Sequence, residues 1–246
     1  MRHETLTYAA DGLTMHSQLF LAPSAGPRPG VLVFPEAFGL GEHALSRAAR
    51  LAELGYAALA CDLHGAGRQI DDLEEAIALL QPLYAEPART RARARGGLDT
   101  LVARADVDAT RIAAIGFCFG GTMALELARS GAELRAVVGF HSGLATTAPR
   151  SDAKAVKARV LVCIGADDPV IPPAQRAEFE SEMREGGVDW QMHLYGRTVH
   201  SFTNREAARR NRPEAIRYSA EADARSWAAM RQLFAECLDD PSASAP

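Results

Sequence analysis

From about residue 31 onward the chain alternates short apolar runs with segments of helical spacing. Residues 31–35 (VLVFP), 56–61, 111–117 (RIAAIGF), 136–140 (AVVGF), 160–165 (VLVCIG) and 189–195 (DWQMHLY) are apolar or β-branched runs of strand length. Most of them suit strands buried on both faces. Between them, residues 43–54 place apolar side chains at Leu45, Ala48, Ala49 and Ala52, and 71–82, 89–104, 119–130 and 173–185 also read as helices. Gly55, Gly131 and Gly186-Gly187 follow three of these helices as C-cap glycines do. Pro213 precedes a final helix that the pattern carries to about residue 237. Upstream, residues 3–9 and 13–21 alternate around Asp11-Gly12, a hairpin turn signal, and 22–30 form a Pro/Gly loop.

This order predicts an α/β protein. Its central sheet is mostly parallel, with an antiparallel N-terminal hairpin and helices on both faces. No internal repeat or linker breaks the pattern, so a single domain over 1–246 is expected, with a flexible C-terminal tail from about 239 to 246. Ligands of such sheets bind beyond the carboxyl ends of the strands. The residues just after Pro35, Cys61, Gly116, Phe140, Gly165 and Tyr195 should therefore share one rim.

Composition narrows the partners. The chain is 48% hydrophobic and 24% charged, which excludes a mainly disordered protein. With Lys+Arg 27 against Asp+Glu 31, it has no overall electrostatic reason to seek nucleic acid or an anionic membrane. No stretch approaches the roughly 18 apolar residues of a membrane span, and the N-terminus lacks a signal-peptide core. The four cysteines, Cys61, Cys118, Cys163 and Cys237, are far apart and form no CxxC pair, so neither a zinc cluster nor a disulfide scaffold is expected. A reduced, cytoplasmic protein without metal or cofactor is the expectation, as a monomer or homodimer.

The sharpest local chemistry lies in Gly116-Phe117-Cys118-Phe119-Gly120-Gly121, after a predicted strand and before a predicted helix. Small residues around a nucleophile let the chain turn sharply there. The helix N-terminus then favours a thiolate. A tight joint around an inert cysteine is the plainer alternative. In a nucleophile-elbow fold an acid and then a base follow the nucleophile. Asp167 and Asp168 lie in GADDPVIP, and His200 lies in YGRTVHSF, each just past a predicted strand. Taken singly, the aspartates fit a turn before proline and the histidine a surface loop. In a triad, His200 would take the thiol proton and later activate water, with an aspartate orienting its ring. Local chemistry does not separate the two aspartates. After the first parallel strand, the loop Pro35-Glu36-Ala37-Phe38-Gly39 is where the second oxyanion donor belongs, so the backbone amides of Ala37 and Phe119 are the expected oxyanion hole. Glu36 is unexpected beside such a site, and an exposed loop glutamate is the even alternative.

Together these residues resemble the dienelactone hydrolase (carboxymethylenebutenolidase-like) family of α/β-hydrolases. The motifs that carry the likeness are PEAFG at 35–39, CDLHGAGR at 61–68, GFCFGG at 116–121, GADDPVIP at 165–172 and VHSF at 199–202. The resemblance implies an α/β-hydrolase fold and a triad of Cys118, His200 and Asp168. It also implies that Glu36 interacts with the resting thiol and helps form the thiolate. Members of the family hold a substrate carboxylate with two arginines. One of them belongs four positions after the triad histidine, where this chain has Asn204 followed by Arg205. Arg68, Arg89 and Arg91 are candidates for the other, although the arginines of 88–95 also suit a solvated helix face. Phe38 and Phe117 could wall a pocket, as could Phe119, with core packing as the default. His141 could line the pocket or compete as base, or be a hydrogen-bonded loop residue. Cys61 and Cys163 read as core.

The function expected from these residues is hydrolysis of a lactone or activated carboxylic ester through an acyl-thioester. A thioesterase or general carboxylesterase with the same triad is the nearer alternative. A binding or redox-sensing protein that does not turn over is the more distant one.

Overall fold

The computed structural model describes residues 1–23 and 26–239; the tail beyond Asp239, for which flexibility is expected, lies outside the described residues. Asp11 and Gly12 both take positive φ (50° and 72°), the backbone of a tight hairpin turn between β1 (Arg2–Ala10) and β2 (Leu13–Leu21). β2 pairs antiparallel with β4 (Ala57–Ala60). From there every pairing is parallel: β4 with β3 (Arg28–Phe34), β3 with β5 (Val107–Phe117), then β6 (Ala136–Phe140), β7 (Arg159–Gly165) and β8 (Trp190–Tyr195). The sheet order is β1-β2-β4-β3-β5-β6-β7-β8. This is the mostly parallel sheet with an antiparallel N-terminal hairpin that the sequence pattern predicts, and it fits the α/β-hydrolase fold that the resemblance implies.

The continuous apolar runs become strands buried on both faces. Val31 and Val33 pack on one side with α1 (Glu42–Glu53) and α6 (Ala220–Phe234). Leu32 and Phe34 pack on the other with α2 (Leu73–Ala85), α3 (Pro87–Val102), α4 (Phe119–Arg129) and α5 (Pro173–Gly186). β8 closes the sheet and is only partly buried. Among the described residues no helix is long and apolar enough to cross a membrane.

β3 and β5 start earlier than the apolar runs that predict them, at Arg28 and Val107, and two further departures shape the site. α6 begins at Ala220 rather than just after Pro213. Its cap is Ser219, whose hydroxyl accepts the Ala222 N–H. Residues 215–219 are instead drawn alongside the histidine loop: His200 N–H donates to Ala215, Arg217 N–H to His200 and Ser219 N–H to Phe202. α2 starts at Leu73, capped by the Asp72 carboxylate on the Glu75 N–H, and runs past Pro82 to Ala85.

The sheet also fixes where chemistry can occur. β3 has β4 on one side and β5 on the other, so the chain reverses direction across the sheet at β3. The loops after β3 and β5 part there and leave a crevice at the carboxyl ends of the strands. Glu36 and Cys118 stand on those two loops.

Candidate active site

Cys118 joins β5 to α4 with φ 54° and ψ −120°, outside the regions L-residues ordinarily occupy. Such a backbone costs on the order of 1–3 kcal/mol and persists only where its surroundings over-determine it. A Cβ at Gly116 would fall 2.0 Å from the Gly120 carbonyl oxygen, one at Gly120 2.2 Å from the Phe34 carbonyl oxygen, and one at Gly121 1.7 Å from Ser142 Oγ. The three glycines are therefore a steric requirement of the turn. The Cys118 N–H is held by the Phe140 carbonyl oxygen at 3.0 Å and by His141 Nδ1 at 3.2 Å. The turn lifts the thiol to the start of α4, where the first amides have no intrahelical acceptor and negative charge is favoured.

His200 comes to this thiol from the loop after β8. Its Nδ1 donates to Asp168 Oδ2 at 2.7 Å, and both side chains are buried. The second oxygen, Asp168 Oδ1, accepts the Val170 N–H at 2.8 Å, which fixes the carboxylate. Asp167 is exposed and points its backbone, not its side chain, into the fold. The geometry thus pairs His200 with Asp168. Burial by itself would push the His200 imidazole down. The negative charge and hydrogen bond of Cys118 and those of Asp168 outweigh it and lift the ring to about 10. With Nδ1 committed to the aspartate, Nε2 is the nitrogen left for sulfur.

Glu36 is buried too and lines the same cavity as the thiol, but its hydrogen bonds go elsewhere. Ser201 Oγ donates to Oε1 at 2.7 Å, Asn204 Nδ2 donates to Oε2, and His43 Nδ1 lies 3.7 Å away. No hydrogen bond joins Glu36 to Cys118, and the expected contact with the resting thiol is replaced by these donors. The adjoining Ala37 carbonyl accepts from His64 Nε2 at 2.8 Å. His64 is itself set by Asp62, whose carboxylate accepts backbone N–H groups of His16, His64, Gly65 and Gly67. The histidine and aspartate of CDLHGAGR thereby brace the loop that carries the expected oxyanion amide.

A cavity of about 600 Å³ opens over these groups. Cys118, His200, Glu36 and Ala37 form its floor, and Phe38 stands beside them. One wall is α2, through Leu73, Ile77, Leu80 and Tyr84; Val170 and Ile216 close the opposite side. Ile77, Tyr84 and Val170 are 48%, 45% and 51% exposed, large apolar side chains left uncovered at the mouth. A pocket of this size and polarity suits an organic molecule of moderate size.

A model of the dienelactone hydrolase family matches residues 16–238. The chain belongs to that family. The structure named m3DLH is 49% identical, superimposes with a TM-score of 0.92, and the match covers 96% of this chain and 98% of that one. A dienelactone hydrolase-like promiscuous phosphotriesterase from metagenomic libraries is 44% identical, also with a TM-score of 0.92, over 96% of this chain and 98% of its own. A Bradyrhizobium protein provisionally named a 2-oxo-3-(5-oxofuran-2-ylidene)propanoate lactonase is 30% identical over 188 residues, 72% of this chain and 74% of its own.

Within this family frame, several expected substrate contacts fall elsewhere. His141 is fully buried beneath the elbow, and Phe117 is stacked on Phe140 at 5.0 Å on the far side of the sheet. Neither reaches the cavity, because both lie behind the residue that carries the nucleophile. Phe119 packs under Tyr84, ring edge to face at 4.8 Å. Asn204 and Arg205 line a neighbouring depression beside His43 and Glu206, and the Asn204 amide is spent on Glu36. The other arginine candidates are committed to ion pairs: Arg68 with Glu75, Arg89 with Asp11, and Arg91 with Glu126 and Asp152. The cation at the cavity is Arg212, which has no ion-pair partner among the described residues. Tyr84 is the second residue missed from sequence. Burial and the charge of Cys118 both push its phenol up, against a hydrogen bond with Thr122 that pulls it down. Reading α2 as continuing through Pro82 would have been the only signal for it. Among the described residues no cluster of three or more His, Cys, Asp or Glu side chains is placed to hold a metal ion.

Proposed function

We propose that this chain hydrolyses lactones or activated carboxylic esters through a Cys118 thiolate. The observation that carries the reading is the Asp168–His200 hydrogen bond, with His200 and Cys118 together on the cavity floor and the sulfur on a strained turn at a helix N-terminus. The thiolate attacks the carbonyl carbon, and the oxyanion that forms is held by the Ala37 and Phe119 amides. The ester C–O bond then breaks, and His200 gives its proton to the departing oxygen. An acyl-thioester remains on Cys118. His200 next takes a proton from water, the hydroxide adds to the thioester, and the thiolate leaves with the carboxylic acid released. A stable leaving group matters here, because the thiolate itself departs easily from the tetrahedral intermediate. In this scheme Glu36 positions Ser201 and Asn204 rather than accepting the thiol proton in the resting state. Four unpaired cysteines are consistent with a reduced compartment such as the cytoplasm.

A second reading, a general carboxylesterase or thioesterase, is favoured by one specific observation: the apolar wall of α2, which offers an uncharged acyl chain more contact than a small lactone that carries a carboxylate. The lactonase name of the Bradyrhizobium relative favours the first reading. The phosphotriesterase relative adds activated phosphotriesters to the electrophiles worth testing.

The test is steady-state hydrolysis of dihydrocoumarin, 4-nitrophenyl esters, an acyl-CoA and a 4-nitrophenyl phosphotriester by wild-type protein and Cys118→Ala. Turnover of the first two, reduced at least about 10³-fold by the substitution, is expected. Full activity of Cys118→Ala removes the cysteine from the mechanism. Rapid alkylation of Cys118 with no substrate hydrolysed supports a redox-sensing or binding role instead.

A further inference from the structure

The segment 200–204 engages the site with nearly every side chain. His200 holds Asp168 behind β7, while Ser201 and Asn204 hold Glu36 behind β3. Thr203 reaches a third loop. Its Oγ1 lies 2.8 Å from His141 Nε2, behind β6, and 3.2 Å from His43 Nε2 on α1. The protons of this chain of contacts follow from its one fixed end. The Cys118 N–H can only donate, so His141 Nδ1 accepts and carries no proton. Burial, reinforced by the nearby charges of His200 and Arg47, keeps His141 neutral. Its proton is therefore on Nε2 and is donated to Thr203. The Thr203 hydroxyl can then give its own proton to His43 Nε2. Burial keeps His43 neutral as well, so its remaining proton sits on Nδ1, facing Glu36. One directed sequence of donors thus runs from the amide of the nucleophile through His141 and Thr203 to His43, whose Nδ1 faces the Glu36 carboxylate at 3.7 Å without a hydrogen bond.

We propose that His141 and Thr203 are positioning residues that clasp the base-bearing loop to the nucleophile elbow and so set the contact between His200 and Cys118. The inference rests on the reading of those two residues as base and nucleophile. Among the described residues, the His141–Thr203 bond is the one side-chain hydrogen bond between segment 200–204 and the loop after β6. The imidazoles of His141 and His200 also meet edge to face at 5.2 Å, and Phe202 packs on His141 at the same distance. The clasp works only with a neutral His141. A proton on Nδ1 would turn that acceptor into a donor against the Cys118 N–H and place a second cation beside His200. The other charges near it are already arranged: Arg47 is paired with Asp223 and donates to the Thr203 carbonyl oxygen.

The test compares Thr203→Val, which keeps the shape and removes the hydroxyl, with Thr203→Ser, which keeps the hydroxyl. The readouts are kcat and KM on a 4-nitrophenyl ester and the pH midpoint of Cys118 alkylation by iodoacetamide. For the valine variant kcat should fall about tenfold with KM within about twofold. Its alkylation midpoint should move upward, because a less well placed imidazolium stabilises the thiolate less. The serine variant should stay within about twofold of wild type on all three. A plain loss of folded protein would lower amplitudes without moving the midpoint. An unmoved kcat and midpoint in the valine variant, or a serine variant as impaired as valine, overturns the proposal. Should the valine variant not fold, nitrogen NMR of ¹⁵N-histidine in the wild-type protein decides. His141 must show protonated Nε2 and bare Nδ1 at neutral pH, and the opposite tautomer or a doubly protonated ring overturns it. Alkylation and NMR need no turnover, so a failure to hydrolyse any ester would count against the functional reading alone.

Discussion

The floor and the α2 wall of the cavity are built on opposite principles. The floor is polar, buried and fully engaged: Asp168 and His200 are each 4% exposed, Glu36 is 6% exposed, and each has a directed hydrogen bond. The wall is apolar and open, with Ile77 and Tyr84 nearly half exposed, and the loop after β6 meets it through Thr147, whose hydroxyl donates to the Tyr84 carbonyl oxygen. Polar groups in a low-dielectric site act strongly only if they are held in place, which the floor achieves through loops anchored on β3, β5, β7 and β8. Apolar contacts need no such direction, and a helix laid along the mouth supplies them. The chemistry is thereby separated from the selection of what enters, and the two should respond differently to substitution.

The most severe break is expected on the floor. Asp168→Asn keeps the shape but replaces the negative charge and can present an N–H to His200 Nδ1. Without that charge the imidazolium loses one of the partners that lift it to about 10, so the ring gives up its proton at lower pH and the thiolate is less well matched. A fall in kcat of about 10³–10⁴-fold is expected, by analogy with the aspartate of serine-protease triads. Steady-state kinetics from pH 6 to 9 checks it. Because Asp168 Oδ1 also accepts the Val170 N–H, thermal unfolding should be recorded alongside. A variant that retains kcat would remove Asp168 from the catalytic machinery, and a lowered melting temperature beside that retained kcat would show that the His200–Asp168 bond is structural.

The same contrast explains what could be read from sequence. Floor residues sit where geometry forces residue type: three glycines whose Cβ positions are occupied by other atoms, a cysteine on a positive-φ turn, and an aspartate and histidine immediately after β7 and β8. Such constraints leave a pattern in the chain. The hairpin and the parallel strands were legible for the same reason, since a turn with two positive φ values and a strand buried on both faces each restrict the residues allowed. Asp168 is different. Its neighbour Asp167 has the same chemistry, and only the tertiary approach of His200 separates them. The contacts of Glu36 and the clasp through Thr203 were illegible because their partners are 165 residues apart for Ser201 and 62 for His141. The wall was illegible for another reason. Leu73, Ile77, Leu80 and Tyr84 follow the spacing of any amphipathic helix, and nothing in that spacing says that the uncovered side faces a cleft. The late start of α6 has a similar cause: 215–219 is pulled into extended pairing with 200–202 by hydrogen bonds that no local propensity encodes.

A milder perturbation acts on the wall. Ile77→Gln keeps a good helix former and removes apolar surface at the mouth without opening the core. The lost contact with a long acyl chain is worth about 1 kcal/mol, half or less of a fully buried isoleucine. Specificity for a 4-nitrophenyl hexanoate should fall about fivefold in kcat/KM, while the acetate, too short to reach Ile77, should change less than about twofold. The melting temperature should hold, since the side chain is 48% exposed. Equal losses on both esters would mean that α2 supports the floor, and the separation of roles would fail.

The smallest effect belongs to Arg212, the cation that faces the cavity without an ion-pair partner among the described residues. It is exposed, so water screens it, and an exposed charge pair contributes at most about 1 kcal/mol. A substrate with a carboxylate on its acyl chain should still sense it. Arg212→Gln should lower kcat/KM for the mono-4-nitrophenyl ester of glutaric acid by about threefold and leave 4-nitrophenyl butyrate unchanged. Raising the salt from 20 mM to 500 mM should erase the difference between wild type and variant, because the Debye length shrinks from about 20 Å to about 4 Å over that range. A loss that persists in high salt would place the guanidinium in direct, desolvated contact with the substrate, and selection would then be partly electrostatic. No loss at all would leave the apolar face of α2 as the part of the cavity that chooses, with the arginine merely a solvated neighbour.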